Sequence, residues 1–401
     1  MKQMAIWWSA VLIAVLFATA PGRPSAAAAA SGHWAAAWAA APQPASAATR
    51  AAVAEVTNQT LRQTVRLALG GDRIQVRLSN EYGTRPLRIG AASISVNGTV
   101  RALTFGGAAS ATIPAGAPAL SDPVDVAAPR MAEASVSLYL PERTAVETVH
   151  ILGLHPTLVS APGDFTGATD FPVAARSEFR AFLSGVSVWT TRPTRVVAAF
   201  GASIVDGFRS TPGAYADWPD VLAGRLAKRP GTAIGVVNLG IAGNRVVTDG
   251  TGASALARFD RDVLSQPGVT HVILLEGRND LAALPGPRTG PGTPGSDADA
   301  VFAGYRQIVE RAHQRGIKVI GTPVTPDSTD GWDEHKEAER RKLNALVRTS
   351  RLFDGYVDLD SLLQNPAGPG LLPAYDSGDH LHPSDAGYRV MGDAFDLTLF
   401  D

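Results

Sequence analysis

The 401-residue chain contains no cysteine, which excludes disulfides, thiolate nucleophiles and cysteine-ligated zinc or iron–sulfur sites. It also lacks a charge imbalance. The formal net charge is -1 at pH 7, so nothing electrostatic points to nucleic acid or an anionic membrane as a partner. Its amino-terminal apolar stretch, Met4 to Phe17, falls short of the roughly 20 residues a membrane span needs. With Lys2 before it and small residues from Ala18 to Ala30 after it, the layout is that of a secretory signal peptide over residues 1–30. Ala18-Thr19-Ala20 is followed by Pro21, so cleavage is expected within Ala26 to Ala30. The mature protein is then expected to be secreted or periplasmic, soluble and without a stable membrane anchor.

What is present is a folding composition, 45% hydrophobic, of a length that fits about two domains. From residue 31 to about 190 the pattern is that of strands. Val65, Leu67 and Leu69 alternate with Arg66 and Ala68, and after Gly70-Gly71-Asp72 the alternation resumes at Ile74, Val76 and Leu78. Period two on both sides of a Gly-Gly turn predicts a hairpin with one buried face. The same rhythm in Ile94-Ser95-Val96 and Val136 to Leu140, punctuated by Asn97-Gly98 and Pro141-Glu142, predicts an antiparallel β-sandwich.

Over 191–401 the rhythm changes to α/β. Apolar strands ending at Phe200 and running through Val236-Val237, Val272 to Leu275, Val319-Ile320 and Tyr356-Val357 alternate with amphipathic helices, the first capped by Asp217. That alternation reads as a parallel sheet covered on both faces by helices, a three-layer arrangement. Two irregular segments, Leu284 to Ser296 and Gln364 to Asp379, are expected to rim the pocket.

The chemistry-bearing residues fall after strand ends. Ser203 directly follows the apolar run Val196 to Phe200, and Asp379-His380-Leu381-His382 supplies a carboxylate and an imidazole three residues apart. A serine hydroxyl becomes a nucleophile only when a base takes its proton and an acid orients that base. Each residue also has a plain alternative: Ser203 as a turn residue, Asp379 as a loop cap, Gly243 as a turn glycine, Asn279-Asp280 as a helix-cap pair. His380 and His382 could be read as two metal ligands, but no clear third ligand cluster accompanies them, so neither metal nor cofactor is expected.

Four blocks together resemble the SGNH (GDSL-type) hydrolases: Gly201-Ala202-Ser203, Asn238-Leu239-Gly240-Ile241-Ala242-Gly243-Asn244, Gly277-Arg278-Asn279-Asp280 and Asp379-His380-Leu381-His382. The mature chain is similar to the xylanase-associated arylesterase-like branch, where a β-rich domain precedes the catalytic one. The resemblance implies a Ser203, His382, Asp379 triad. It also implies an oxyanion hole from the Ser203 and Gly243 backbone N–H groups and the Asn279 side-chain amide. A secreted carboxylester hydrolase acting on short acyl, acetyl or aryl esters of small molecules or polysaccharides follows from it. An acyltransferase using the same site is the first alternative, and a carbohydrate-binding sandwich beside a weakened hydrolase the second. The chain departs from the family at Ala202, where an aspartate is usual, and at Arg278, where an apolar or small residue is commoner. Arg278 is read either as pointing to solvent or as a fixed charge at the pocket mouth that favours acidic or strongly polar substrates, and Asp206 as a turn residue or as a source of part of the hydrogen bonding lost with the usual aspartate.

Overall fold

Alternating apolar side chains build two antiparallel sheets in the first half of the protein. The computed structural model describes residues 31–52, 55–285 and 295–401; the signal-peptide reading and most of the Leu284 to Ser296 rim lie outside them. One sheet runs in the order His33–Ala39, Leu183–Thr190, Gly71–Ser79, Pro118–Leu120, with Val124–Ala128 also paired to Gly71–Ser79. The other runs Val173–Ser177, Thr157–Pro162, Gln59–Leu67, Ala132–Leu140, Ala91–Val96, Thr99–Leu103. Leu61, Val65 and Val136 of one sheet share a core with Ile74, Val76 and Val186 of the other, which makes the pair a sandwich.

The hairpin expected around Gly70-Gly71 does not form. Gln59–Leu67 pairs with Ala132–Leu140 and Thr157–Pro162, whereas Gly71–Ser79 pairs with Leu183–Thr190 in the opposite sheet. Period two reports only that one face is buried, and two strands facing each other across a core satisfy it as well as two lying edge to edge. The glycines serve the crossing. A Cβ on Gly70 would lie 2.6 Å from the Ala128 carbonyl, and one on Gly71 2.3 Å from the Trp189 carbonyl. A true hairpin is found at Asn97-Gly98, where both residues take positive φ between Ala91–Val96 and Thr99–Leu103. Trp34 and Trp189 meet edge to face at 5.5 Å, with the Arg73 guanidinium 4.6 Å above Trp189. They pack on each other instead of forming an open aromatic strip.

The second half is a five-stranded parallel sheet in the order Ala233–Gly240, Thr194–Gly201, Val269–Leu275, Lys318–Gly321, Gly355–Tyr356. Its strands are mostly apolar because both faces are covered. Val197 and Ala199 join a core with Trp218, Leu222 and Met391. Val196, Ala198 and Phe200 point the other way, toward Phe259, Tyr305 and Ile308. Helices Trp218–Ala227 and Asp385–Ala394 cover the first face; Ala255–Phe259, Ala298–His313 and Glu334–Thr349 cover the second. Asp217 caps the first of these helices by accepting from the Asp220 N–H at 3.1 Å, as its sequence position predicts. Strand Thr194–Gly201 has the second strand on one side and the third on the other, so the chain's direction of winding reverses at its edge. Open parallel sheets bind ligands outside the carboxyl ends of the strands at such a point. Among the described residues no helix is long and apolar enough to cross a membrane.

Candidate active site

The strand Thr194–Gly201 ends against its neighbour so closely that a Cβ on Gly201 would sit 1.9 Å from the Leu275 carbonyl. The chain then turns into the short helix Ser203–Asp206, which places the Ser203 hydroxyl at the sheet's carboxyl edge. His382 Nε2 lies 2.9 Å from Ser203 Oγ, and His382 Nδ1 lies 2.8 Å from Asp379 Oδ2. A carboxylate at Nδ1 requires that nitrogen to carry the proton, so Nε2 faces the serine as an acceptor. Asp379 is itself fixed: Oδ1 accepts from the His382 and Leu381 N–H groups at 2.8 and 3.1 Å, and Oδ2 from Arg209 Nε at 3.1 Å. The ring of Phe208 meets the His382 imidazole edge-on at 4.7 Å. The structure thus brings together three residues drawn from segments 179 positions apart in the chain.

Electrostatics suit proton transfer. Burial raises the Asp379 carboxyl, but the hydrogen bonds from His382 and Arg209 more than offset it and hold the group below the usual carboxylate range. Burial lowers the His382 imidazole; Asp379 opposes this, and Arg278 and Arg209 add to it, leaving the group below its ordinary value. At neutral pH the imidazole is therefore neutral, as a base must be.

Gly277 takes φ 101° and starts the helix Arg278–Ala282. The left-handed turn, which glycine adopts without a Cβ penalty, delivers Asn279 to the cleft wall. The Asn279 amide donates one hydrogen to the Asn244 carbonyl at 2.8 Å, which leaves its second hydrogen for a ligand. Gly243, at φ 82°, lies between Ala242, whose N–H bonds Asp206 Oδ2 at 2.8 Å, and Asn244. The loop that holds Gly243 is therefore tied on one side to the serine helix and on the other to Asn279. Asp280, next in the chain, is fully buried and accepts from the Val246 and Val247 N–H groups at 2.8 and 3.0 Å. Burial pushes its carboxyl up to about 6, against the pull of those two donors.

Arg278 carries no unopposed charge at the mouth. Its Nε donates to the buried Asp327 at 2.6 Å and Nη2 to Thr329 Oγ1 at 3.1 Å, while the guanidinium lies 5.3 Å from the Trp332 ring centre. The Asp327 carboxylate offsets much of the charge that the pocket-mouth reading gives Arg278. His380 turns away from His382 to Asp376 Oδ2 at 2.9 Å, so the two imidazoles serve different carboxylates. Asp206 is not a simple turn residue. Its buried carboxylate reaches Ala242 and also His150 Nε2 at 3.0 Å. A second residue without a local sequence signal is Arg258, completely buried. It donates to the Gly201 carbonyl at 2.9 Å, the Leu239 carbonyl at 2.8 Å and Asn244 Oδ1 at 2.9 Å.

Ser203, Asn279 and Arg278 wall a small, shallow cleft with Ala202, Ile204, Leu275, Glu276, Val324, Thr325 and Leu381. A parallel sheet with helices on both faces, carrying this constellation at its carboxyl edge, defines an esterase class of protein. The family comparison agrees and narrows it. Residues 199–390 match the GDSL-like Lipase/Acylhydrolase family, and the α/β half is a domain of that family, which makes the protein a carboxylic ester hydrolase. No curated protein matches the sequence. Similar solved structures include an acetyl xylan esterase from Geobacillus stearothermophilus, at 23% identity over 52% of this chain and 96% of that one, with TM-score 0.42. A GDSL-like lipase from Bacteroides thetaiotaomicron is similar at 23% identity over 51% of this chain and 87% of that one, with TM-score 0.39.

The family departure at Ala202 has a counterpart in the cleft. Ala202 occupies the N-cap position of the serine helix with no side-chain cap. Glu276, just past the strand residue Leu275 that pairs with Gly201, is buried with neither carboxyl oxygen hydrogen-bonded. Burial holds that carboxyl protonated well above the usual range, so its O–H is unspent. Ala202→Asp would place a carboxylate in the cleft that Glu276 also lines and supply a helix cap worth about 1 kcal/mol. The variant is expected to melt a few degrees higher and to turn over a small ester faster. Lower melting temperature and lower kcat together would show that the new carboxylate is buried without a partner.

Proposed function

We propose that the protein is an exported serine carboxylester hydrolase for short acyl, acetyl or aryl esters, working through an acyl-enzyme. The observation that carries this reading is the unbroken series of hydrogen bonds from Ser203 Oγ through His382 to Asp379. His382 takes the hydroxyl proton as Ser203 attacks the ester carbonyl, and returns it to the departing alcohol. Asp379 holds the tautomer and stabilises the imidazolium. The Ser203 and Gly243 backbone N–H groups and the second Asn279 amide hydrogen meet the oxyanion. Water then repeats the attack on the acyl-enzyme with the same base. The small cleft and its aliphatic walls support a short acyl group over a long one. Arg278, held by Asp327, serves as a rigid wall whose remaining donor edge favours polar over charged substituents.

The test is a series of p-nitrophenyl esters of increasing chain length beside acetylated xylan, with and without an added sugar acceptor. Activity confined to short chains, with free acid as the product, supports the reading. Transfer of the acyl group to the sugar would make the protein an acyltransferase. On the same substrates Asn279→Ala is expected to lower kcat about a hundredfold with a small change in KM, since the amide acts on charge that develops in the transition state. A change confined to KM would assign Asn279 to ground-state binding instead.

A further inference from the structure

We infer that His150, a residue of the β-sandwich, is a positioning residue for the oxyanion loop, acting through Asp206 on the N–H-bearing segment Ala242-Gly243. The inference rests on the esterase reading above. His150 ends the strand Thr148–His150 and is 7% exposed; Asp206 ends the serine helix and is 3% exposed. His150 Nδ1 lies 3.1 Å from the Ala41 carbonyl and Nε2 lies 3.0 Å from Asp206 Oδ1. The other oxygen of Asp206 accepts the Ala242 N–H at 2.8 Å. An unbroken path of short hydrogen bonds therefore joins the sandwich to the residue beside Gly243. Asp206 lies three positions after Ser203 on the same helical turn, so one carboxylate fixes the loop relative to the nucleophile.

The geometry also fixes the protonation state. Both ring nitrogens of His150 face acceptors, a carbonyl and a carboxylate, and only the imidazolium donates to both. Burial works against that charge, but Asp206 and the Ala41 carbonyl more than offset it, and the group titrates above its ordinary value even with Arg180 nearby. Arg180 is its cross-strand partner. Arg66, His155, Asp217 and Asp220 line the same cleft between the sandwich and the serine helix. Deprotonation at alkaline pH leaves the one remaining N–H on Nε2 toward the Asp206 carboxylate and turns the Nδ1 lone pair toward the Ala41 carbonyl, which breaks the ring's hydrogen bond to the sandwich and loosens the loop. kcat should therefore decline on the alkaline side as His150 loses its proton.

His150→Phe removes both donors and is expected to lower kcat about tenfold with KM changed less than about twofold, as misplacement of a transition-state donor does. His150→Gln, which retains one amide donor toward Asp206, should recover part of the loss. Asp206→Asn can accept from Ala242 and donate to a neutral His150, so in this variant the alkaline decline should disappear. Ser203→Ala is run beside them. If Ser203→Ala stays active, the esterase reading fails. If it is inactive while His150→Phe and His150→Gln keep the wild-type kcat and pH profile, this inference alone is overturned. Should His150→Phe fail to fold, His150→Gln and the pH profile of Asp206→Asn decide, and an unchanged alkaline limb in both overturns it. A change in melting temperature with kcat untouched would mean that the pair only stabilises the fold, which also overturns it.

Discussion

Ser203→Ala is expected to lower kcat on p-nitrophenyl acetate by about five orders of magnitude or more while leaving the circular dichroism spectrum and the urea midpoint nearly unchanged. The size follows from the site acting as a unit: with the nucleophile gone, His382 and Asp379 have nothing to activate, and removing one such member costs almost as much as removing all. The small structural effect follows from the contacts. The hydroxyl has one hydrogen-bond partner, His382 Nε2, and Ser203 is half-buried at the cleft, so losing that bond costs on the order of 1 kcal/mol or less. Burst kinetics give the check with least ambiguity. Wild-type enzyme should release p-nitrophenol in an initial phase if deacylation is slow, and the variant should show no such phase. Retained turnover at even a hundredth of the wild-type rate would remove Ser203 from the nucleophile's role.

The elements around that serine are legible in sequence because they obey local rules. Strands Thr194–Gly201 and Val269–Leu275 carry apolar runs, Val196 to Phe200 and Val272 to Leu275, and the residues that carry chemistry follow within a few positions at Ser203 and Asn279. Asp379 and His382 are three positions apart, so a single turn lets the carboxylate reach both the imidazole and the His382 N–H. What sequence misses are interactions without local spacing. The pairing of Gln59–Leu67 is decided by which sheet covers its apolar face, and period two is silent about that. His150 and Asp206 are 56 residues apart, one in the sandwich and one in the serine helix, and neither has a neighbour that announces the other. Arg278 looks like an unopposed charge until the loop carrying Asp327, 49 positions later, folds against it.

Arg258 is the extreme case of such a residue, and its removal is expected to cost a large part of the fold's stability. The side chain sits in the helix Ala255–Phe259 between Ala257 and Phe259, where an arginine would ordinarily be taken for a solvent-facing residue. Folding buries it completely. Its guanidinium joins the carboxyl ends of the neighbouring strands Thr194–Gly201 and Ala233–Gly240, at the Gly201 and Leu239 carbonyls, to Asn244 Oδ1 and to Asp262 Oδ2 at 3.1 Å. It also lies 4.2 Å from the Phe200 ring centre. Arg258→Met keeps much of the volume but leaves these acceptors unmet, and removal of one member of a buried charged pair costs about 3 to 5 kcal/mol. Asp262 keeps Arg261 as a second partner at 2.7 Å, which places the expected loss toward the lower end of that range. Arg258→Lys should recover little, because one ammonium cannot span acceptors that the planar guanidinium reaches from opposite edges. Urea unfolding measures the stability term, and kcat measured well below the midpoint separates it from function. Because Gly201 precedes the nucleophile loop and Asn244 anchors Asn279, kcat should fall even in the fraction that stays folded. A loss below about 1 kcal/mol with unchanged kcat would mean that water replaces the guanidinium, and that the loops around Ser203 hold their places without it.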